Sequence, residues 1–598
     1  MAKLPPPPIS PKLRSLKMAE VAEQLNPAEE ASQRALAEVY GSLERKESFL
    51  VEAGAGAGKT YTLVKALHFL MERYQHSLPQ RHQKIACITF TNVAKDKIDA
   101  RTDRSPLVYC NTIHAFCWSL IGAFQRQLRE RLPQLEHWPE KIAEVGDLGD
   151  RTVEYELGHR SVNDHRVSIH HDDVLILTIA LMDNAKFRRI LTSKYPIILI
   201  DEYQDTNASW IDSIKTHFLG QEGSPQFGFF GDHWQKIYGD GCGKIEHPSL
   251  TVVGKQANFR SVSAVVDCLN RMRPELPQFV VDPNEQGSVR IFHTNTWVGA
   301  RQTGNHWGGD LPTEAADLAL QTVLDCLAEE SWDLSPETTK ILMLTHRVLA
   351  GKQGYPSIPA VFAFNQSFTN KEHPHIAYFA DALEPACEAY LSKKYGEMFR
   401  VLGSGVPAIR TQADKKKWSE AMDKLIEIRD GGTVGDVVDH LLAVRRPRVP
   451  DAVERREREL RAFDLEADEE MPRALKEVGD LRTVPYREIV ALCRYLSGHS
   501  PFETKHGVKG AEFENVLVVV GRGWNRYNFN EMLELAGQGA QIPANKQAAF
   551  ERNRNLFYVT CSRPKRRLAV LFTQKLSNVA MQTVGNWFGI DNLEALNF

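Results

Sequence analysis

Several things this 598-residue chain lacks narrow its identity before any motif is read. Its nine cysteines (Cys87, Cys110, Cys117, Cys242, Cys268, Cys326, Cys387, Cys493 and Cys561) are an odd number, and no two are spaced C-x-x-C. That pattern excludes a disulfide framework, a zinc ribbon and an iron–sulfur centre, and predicts reduced thiols in a cytoplasmic protein. No run approaches the roughly 20 apolar residues that cross a bilayer, so no membrane partner is expected. The N-terminal MAKLPPPPISPKLRSLK is basic and Pro-rich but has no apolar core, so residues 1–24 read as a mobile tail rather than a signal peptide. There is no internal repeat. Nor is there a surplus of one charge: the net charge is −3, so any contact with a polyanion must be local. The short basic runs DKKKW (414–418), RRPR (445–448) and RPKRR (563–567) are, taken alone, the solvated faces that most charge runs are.

What is present is globular. Hydrophobic residues make up 42% and charged residues 25%, enough for several cores; at about 150 residues per domain the length suggests roughly four units. Short apolar runs with β-branched enrichment recur: SFLVEA (48–53), IACITF (85–90), IILID (197–201), FGFFGD (227–232) and LTVVG (250–254). Helical patterns such as 61–74 and 171–191 lie between them. Strands alternating with helices predict a mainly parallel sheet covered on both faces. SVRIFHT (288–294), KILMLTH (340–346), NVLVVVG (515–521) and RRLAVLFT (566–573) predict a second α/β unit. Between about 373 and 500 the sequence is helix-rich and densely charged, which predicts a helical insertion or arm.

The chemistry is concentrated at a few strand ends. VEAGAGAGKT (51–60) follows the first strand and opens a helix. Small residues (Ala53, Gly54, Ala55, Gly56, Ala57, Gly58) let backbone N–H groups curl around phosphate oxygens, and the helix N-terminus faces the same anion. Lys59 is positioned to reach the β- and γ-phosphates of a nucleotide and Thr60 to ligate Mg²⁺. IILIDEYQD (197–205) is its natural partner: Asp201 as a second Mg²⁺ ligand, Glu202 to take a proton from the attacking water. Together they point to ATP hydrolysis with Mg²⁺. In GFFGDHWQKIYGD (228–240) a buried strand releases Gln235 and Tyr238 at its tip, a γ-phosphate sensor and a contact to a nucleic-acid base.

The ordered set of segments resembles superfamily 1 DNA helicases of the UvrD/Rep type over nearly the whole chain. After the phosphate loop come ITFTNVAKDKIDAR (88–101), TIHAF (112–116), LIDEYQDTN (199–207), GDHWQKIYG (231–239), NFRS (258–261), TKHGVKGAEF (504–513) and LFYVTCSRPKRRL (556–568). The resemblance implies two RecA-like P-loop cores with parallel sheets, each carrying a helical insertion. The first core is expected over 25–121 and 170–275 with an insertion at 122–169, the second over 276–372 and 501–598 with an insertion at 373–500. It implies arginine fingers at Arg260 and Arg563, adenine stacking on Phe259, nucleotide contacts from Lys509 and Glu512, and an adenine-reading Gln33 in LNPAEEASQRA. Phe90, Thr91, Asn92, His114, Tyr238 and His506 would line a single-strand groove, where aromatic faces stack bases without regard to sequence.

Two departures bear on function. Asp240 stands where the family carries an aromatic platform, and a carboxylate there repels phosphate. Tyr61 follows GKT where an Arg near adenine is common, which relaxes base selectivity or substitutes a stacking ring. No nuclease segment is recognised, so any cutting is expected from a separate subunit. Compact UvrD-like proteins of this kind also occur in antiphage systems, in Gabija-like pairs with an OLD-type nuclease. The expectation is a 3′→5′ translocase or helicase on single-stranded DNA, in repair or phage defence. The alternative is an ATPase-gated sensor of DNA ends or single strands that activates a partner nuclease.

Overall fold

The structure, a computed structural model, describes residues 25–155, 160–237, 239–304, 308–343, 353–363, 366–369, 371–403, 409–463, 471–497, 502–504, 511–521, 527–539 and 541–598. The chain divides into two compact units. One extends to Gly287 and includes Arg554–Ser562; the other comprises Ser288–Asn553 and Arg563–Phe598. All nine cysteines are free thiols. Among the described residues no helix is long and apolar enough to cross a membrane.

The first unit is built on strands β1 (Phe49–Ala53), β2 (Ile85–Thr89), β3 (Val108–Thr112), β4 (Thr152–Tyr155), β5 (Ser161–Val162), β6 (Arg166–Ile169), β7 (Ile197–Asp201), β8 (Gln226–Gly231), β9 (Thr251–Lys255), β10 (Ala257–Asn258) and β11 (Phe279–Val280). Its main sheet has the order β3-β2-β7-β8-β1-β9, with every pair parallel. A parallel sheet is covered on both faces, and its central strands β1, β2, β7 and β8 are buried along their length, whereas the edge strands β3 and β9 are partly exposed. Alternate side chains then divide between two cores: Leu50, Ile198, Ile200 and Phe229 enter one, Val51, Ile197, Leu199 and Phe230 the other. Helix Pro27–Arg45, started by an Asn26–Glu29 capping box with Pro27 in its first turn, packs beside β9 and β10.

The region 122–169 contains short helices (Gln125–Arg131, Pro139–Ala143) and also a small sheet, β4-β6-β5. It is therefore mixed rather than wholly helical; strands of two to four residues are too short to give a period-2 signal in the sequence. The expected change of core at 275/276 is displaced to 287/288, because β11 pairs in parallel with β10 and keeps residues 276–287 with the first unit.

The second unit carries β12 (Ser288–His293), β13 (Thr339–Met343), β14 (Phe502–Thr504), β15 (Phe513–Val520), β16 (Pro564–Phe572) and β17 (Leu593–Ala595), an all-parallel sheet of order β14-β13-β15-β16-β12-β17. Helices from Pro374 to Leu496, among them Gln412–Gly431 and Val434–Val444, form a block joined to the same hydrophobic core. Both units are RecA-like α/β cores.

Candidate nucleotide site

Parallel pairing puts the C-terminal ends of all strands in the first unit's main sheet on one edge, where open α/β sheets bind ligands. Along that edge, in sheet order, lie His114 after β3, Phe90 after β2, Asp201 and Glu202 at β7, Asp232–Gln235 after β8, the phosphate loop after β1, and Lys255 to Arg260 at β9–β10. Topology thus brings together residues that the sequence scatters over more than 200 positions.

The loop 54–58 turns back through Gly56 and Gly58, both at φ +73°. Its carbonyls are held from behind. Asn258 Nδ2 and Gln278 Nε2 donate to the Ala55 carbonyl at 3.1 and 3.0 Å, the Phe259 amide donates to Gly56 O at 2.9 Å, and Lys255 Nζ donates to Gly58 O at 3.2 Å. A Cβ on Gly56 would come within 2.7 Å of Asn258 Oδ1 and 2.8 Å of Arg260 Cβ, so the close approach needs glycine. Lys59 and Thr60 begin the helix that follows; Lys59 Nζ lies 3.7 Å from Glu202 Oε2. Glu202 itself is left-handed, φ +50°, an uncommon conformation for a non-glycine residue that turns its side chain off the end of β7. Gln204 Nε2 donates to Glu202 Oε2 at 2.5 Å, and Asp201 is buried beside it. A carboxylate and a hydroxyl at the mouth of a phosphate loop are the hard oxygen donors that suit Mg²⁺.

Beneath the loop is a buried polar network. Arg273 donates to Asp232 Oδ1 at 2.6 Å and lies 3.4 Å from Glu52 Oε2; His233 Nδ1 is 3.1 Å from the same Glu52 oxygen, and the Tyr203 hydroxyl donates to Glu52. Burial alone would push the Asp232 carboxyl up, but Arg273, Lys59 and the amide of Gln235 outweigh it and hold it below the usual carboxylate range. Gln235 Nε2 donates to Asp232 Oδ2 at 2.8 Å, so the candidate sensor is already oriented. Glu52, Asp232 and His233 converge closely enough to hold a metal, yet the Arg273 guanidinium bonds both carboxylates and makes the cluster an ion-pair network. Trp234 is packed between Arg273, Arg554 and Tyr558, and Asn555 Nδ2 donates to the carbonyls of His233 and Lys236. These contacts explain why Arg554–Ser562 belongs to the first unit.

The remaining sequence candidates fall in three groups. In the first unit, Arg260 NH1 donates to Ser562 O at 2.9 Å, Phe259 and Tyr61 are 44% and 52% exposed, and Gln33 is exposed on helix Pro27–Arg45. Phe90 is 37% exposed, Thr91 caps helix Asn92–Arg101 by accepting from the Ala94 amide, and Asn92 begins that helix. His114 lies edge-on to His171, centroids 4.8 Å apart; burial, then His171, lowers its pKa to about 4. In the second unit, Arg563 is buried and donates to the Ala511 carbonyl, while Glu512 is exposed near Lys565, 3.9 Å away. Tyr238, His506, Lys509 and the tail 1–24 lie outside the described residues.

Sequence reasoning missed Glu52, Arg273, Gln278 and Lys255. Two of them left a signal: a carboxylate inside the apolar run FLVEA and a lysine closing TVVGK are residue types seldom buried.

Residues 37–240 match the AAA domain family model. Across 680 aligned positions the chain is 23% identical to the Gabija protein GajB of Bacillus cereus (strain HuB5-5), an alignment covering 91% of this chain and 96% of that protein. It is 25% identical over 279 residues to the ATP-dependent DNA helicase Rep of Buchnera aphidicola subsp. Baizongia pistaciae, covering 37% of this chain and 40% of Rep. It is also 25% identical over 298 residues to the mitochondrial ATP-dependent DNA helicase HMI1 of Saccharomyces cerevisiae, covering 41% of each.

Proposed function

We propose, from the likeness of this chain to UvrD/Rep-type helicases of superfamily 1, that it is an ATP-driven translocase or helicase on single-stranded DNA that travels 3′→5′ and serves phage defence. The observation that carries the reading is the shared sheet edge, on which phosphate-loop, acid-pair, sensor and aromatic groups follow one another in strand order. Lys59 and the amides of the turn 54–60 bind the triphosphate, and Thr60 and Asp201 would hold Mg²⁺, which supplies charge neutralisation when bound. Glu202, held by Gln204 and near Lys59, orients water and accepts its proton. Gln235, tied to Asp232, relays the state of the γ-phosphate. Arg260 and Arg563 are the candidate arginine fingers, and Phe259, Gln33, Lys509 and Glu512 the candidate nucleotide contacts. Phe90, Thr91, Asn92, His114, Tyr238 and His506 receive the strand.

The likeness to GajB over nearly its whole length supports phage defence over repair, and with it a separate nuclease subunit as partner. A second reading is favoured by one residue: Asp240, exposed beside the sensor segment, is a carboxylate where the family stacks a base. On that reading the chain senses DNA ends or single strands and licenses the nuclease with little unwinding of its own.

Steady-state ATP hydrolysis with and without single-stranded DNA, beside Lys59→Ala, tests the reading. Stimulation by DNA that falls by at least about 100-fold in the variant is expected. Hydrolysis indifferent to DNA would overturn the motor, and strand displacement by the purified chain alone would overturn the sensor.

A further inference from the structure

Lys255 is 0% exposed, and among the described residues no carboxylate offsets its burial, which pushes its pKa down to about 8. Packing alone at the buried end of this partly exposed edge strand would be served by leucine or methionine. The ammonium is instead spent on the phosphate turn. Nζ donates to the carbonyl of Gly58, the residue before Lys59, and to Oγ1 of Thr62 in the first turn of the following helix. It also lies 5.8 Å from the ring centroid of Tyr61, whose other cationic neighbour, Lys65, is at 5.5 Å. A Cβ placed on Gly58 would be 3.6 Å from Phe259 Cδ2 and 3.8 Å from Lys255 Nζ. Lys255 therefore stands where the phosphate turn, Tyr61 and Phe259 meet.

We infer that Lys255 is a positioning residue for nucleoside triphosphate binding, which locks the Gly58–Thr62 turn from behind and holds the Tyr61 ring beside Phe259 on the base side. The inference rests on the ATP reading above. A carbonyl anchored from behind leaves the turn's amides to the phosphates, and a cation in a low-dielectric position behind the turn adds attraction for the polyanion. The cation–π contacts restrict Tyr61, which is otherwise exposed.

Lys255→Met keeps the approximate volume and removes the charge. The expected result is a KM for ATP raised about tenfold while kcat changes by less than about twofold. The melting temperature of the nucleotide-free protein should stay level or rise, because a desolvated charge has been removed. A KM within about twofold of wild type, or a lower melting temperature with kcat lost at unchanged KM, would mean an ordinary core residue and overturn the inference. Lys59→Ala is measured in parallel. If the wild type shows no Lys59-dependent hydrolysis, the ATP reading has failed, and this inference falls with it for that separate reason.

Discussion

At the scale of single residues, electrostatics separates the two ends of the sheet edge. The nucleotide end holds buried charges in hydrogen-bonded pairs, Arg273 with Asp232 and Glu52. The candidate DNA end holds a half-buried ring whose neutral form is favoured. His114 ordinarily titrates near 6.5, and burial with His171 beside it brings it to about 4. The neutral form is favoured in the folded chain, so its stability contribution is fully present above pH about 6.5 and lost as pH falls through about 4. Wild type should therefore lose stability relative to His114→Asn over that interval, and the two should run parallel above pH 7. Denaturant unfolding of both proteins at pH 7.5, 6 and 4.5 measures it; parallel curves throughout would show that His114 charges freely in the fold. His170, His171 and Asp172 face the same ring and are present in both proteins, so the comparison reads the change made at position 114.

At the scale of elements, the candidate phosphate loop is held in shape by residues of β9 and β10 and by Gln278, next to β11. Gly56 shows the cost of disturbing that brace. Any L-residue at φ +73° pays about 1 kcal/mol, and at Gly56 a Cβ also collides with Asn258 and Arg260. Gly223, at φ +74°, has nothing within 4 Å of a built Cβ. Gly223→Ala is expected to cost about 1 kcal/mol and keep its ATP hydrolysis. Gly56→Ala is expected to lose hydrolysis by about 100-fold or more at a somewhat larger stability cost. Equal loss in the two variants would show that backbone strain, not the brace, governs the loop. The contrast also marks what is legible in sequence. GAGAGKT suggested a phosphate turn through its glycines, but Asn258 and Gln278 gave no sign that they close it, and Lys255 showed only as a lysine ending an apolar run, because their roles arise only when distant segments pack against the loop.

At the scale of the whole molecule, each unit has its own sheet and hydrophobic core, so a defect in one should stay there. The helical block of the second unit contains a buried pair: Arg429 donates to both oxygens of Glu384, at 3.0 and 2.6 Å, and the Tyr486 hydroxyl donates to the same carboxylate at 2.9 Å. Arg429→Ala leaves Glu384 buried without a cation and is expected to destabilise the second unit by roughly 3–5 kcal/mol. Calorimetry should then show one transition displaced to lower temperature and the other little changed. A single transition that shifts as a whole would show that the units unfold together.

The sequence by itself determined the α/β class and the two main sheets, and it picked out the candidate phosphate loop and acid pair. Those signals are local: a buried parallel strand is apolar along its length, and a strand–GKT–helix or strand–DE segment carries its chemistry in consecutive residues. The order of segments carried the resemblance to UvrD/Rep-type helicases for the same reason. Tertiary structure alone decided the rest. Lys255 reaches Gly58 across 197 positions, Arg273 reaches Glu52 across 221, and Asn555 reaches His233 across 322. It also decided that β11 and Arg554–Ser562 belong with the first unit. A charged side chain's role depends on how deeply it is buried and on what lies opposite, and neither exists until distant strands pair and remove the water between them.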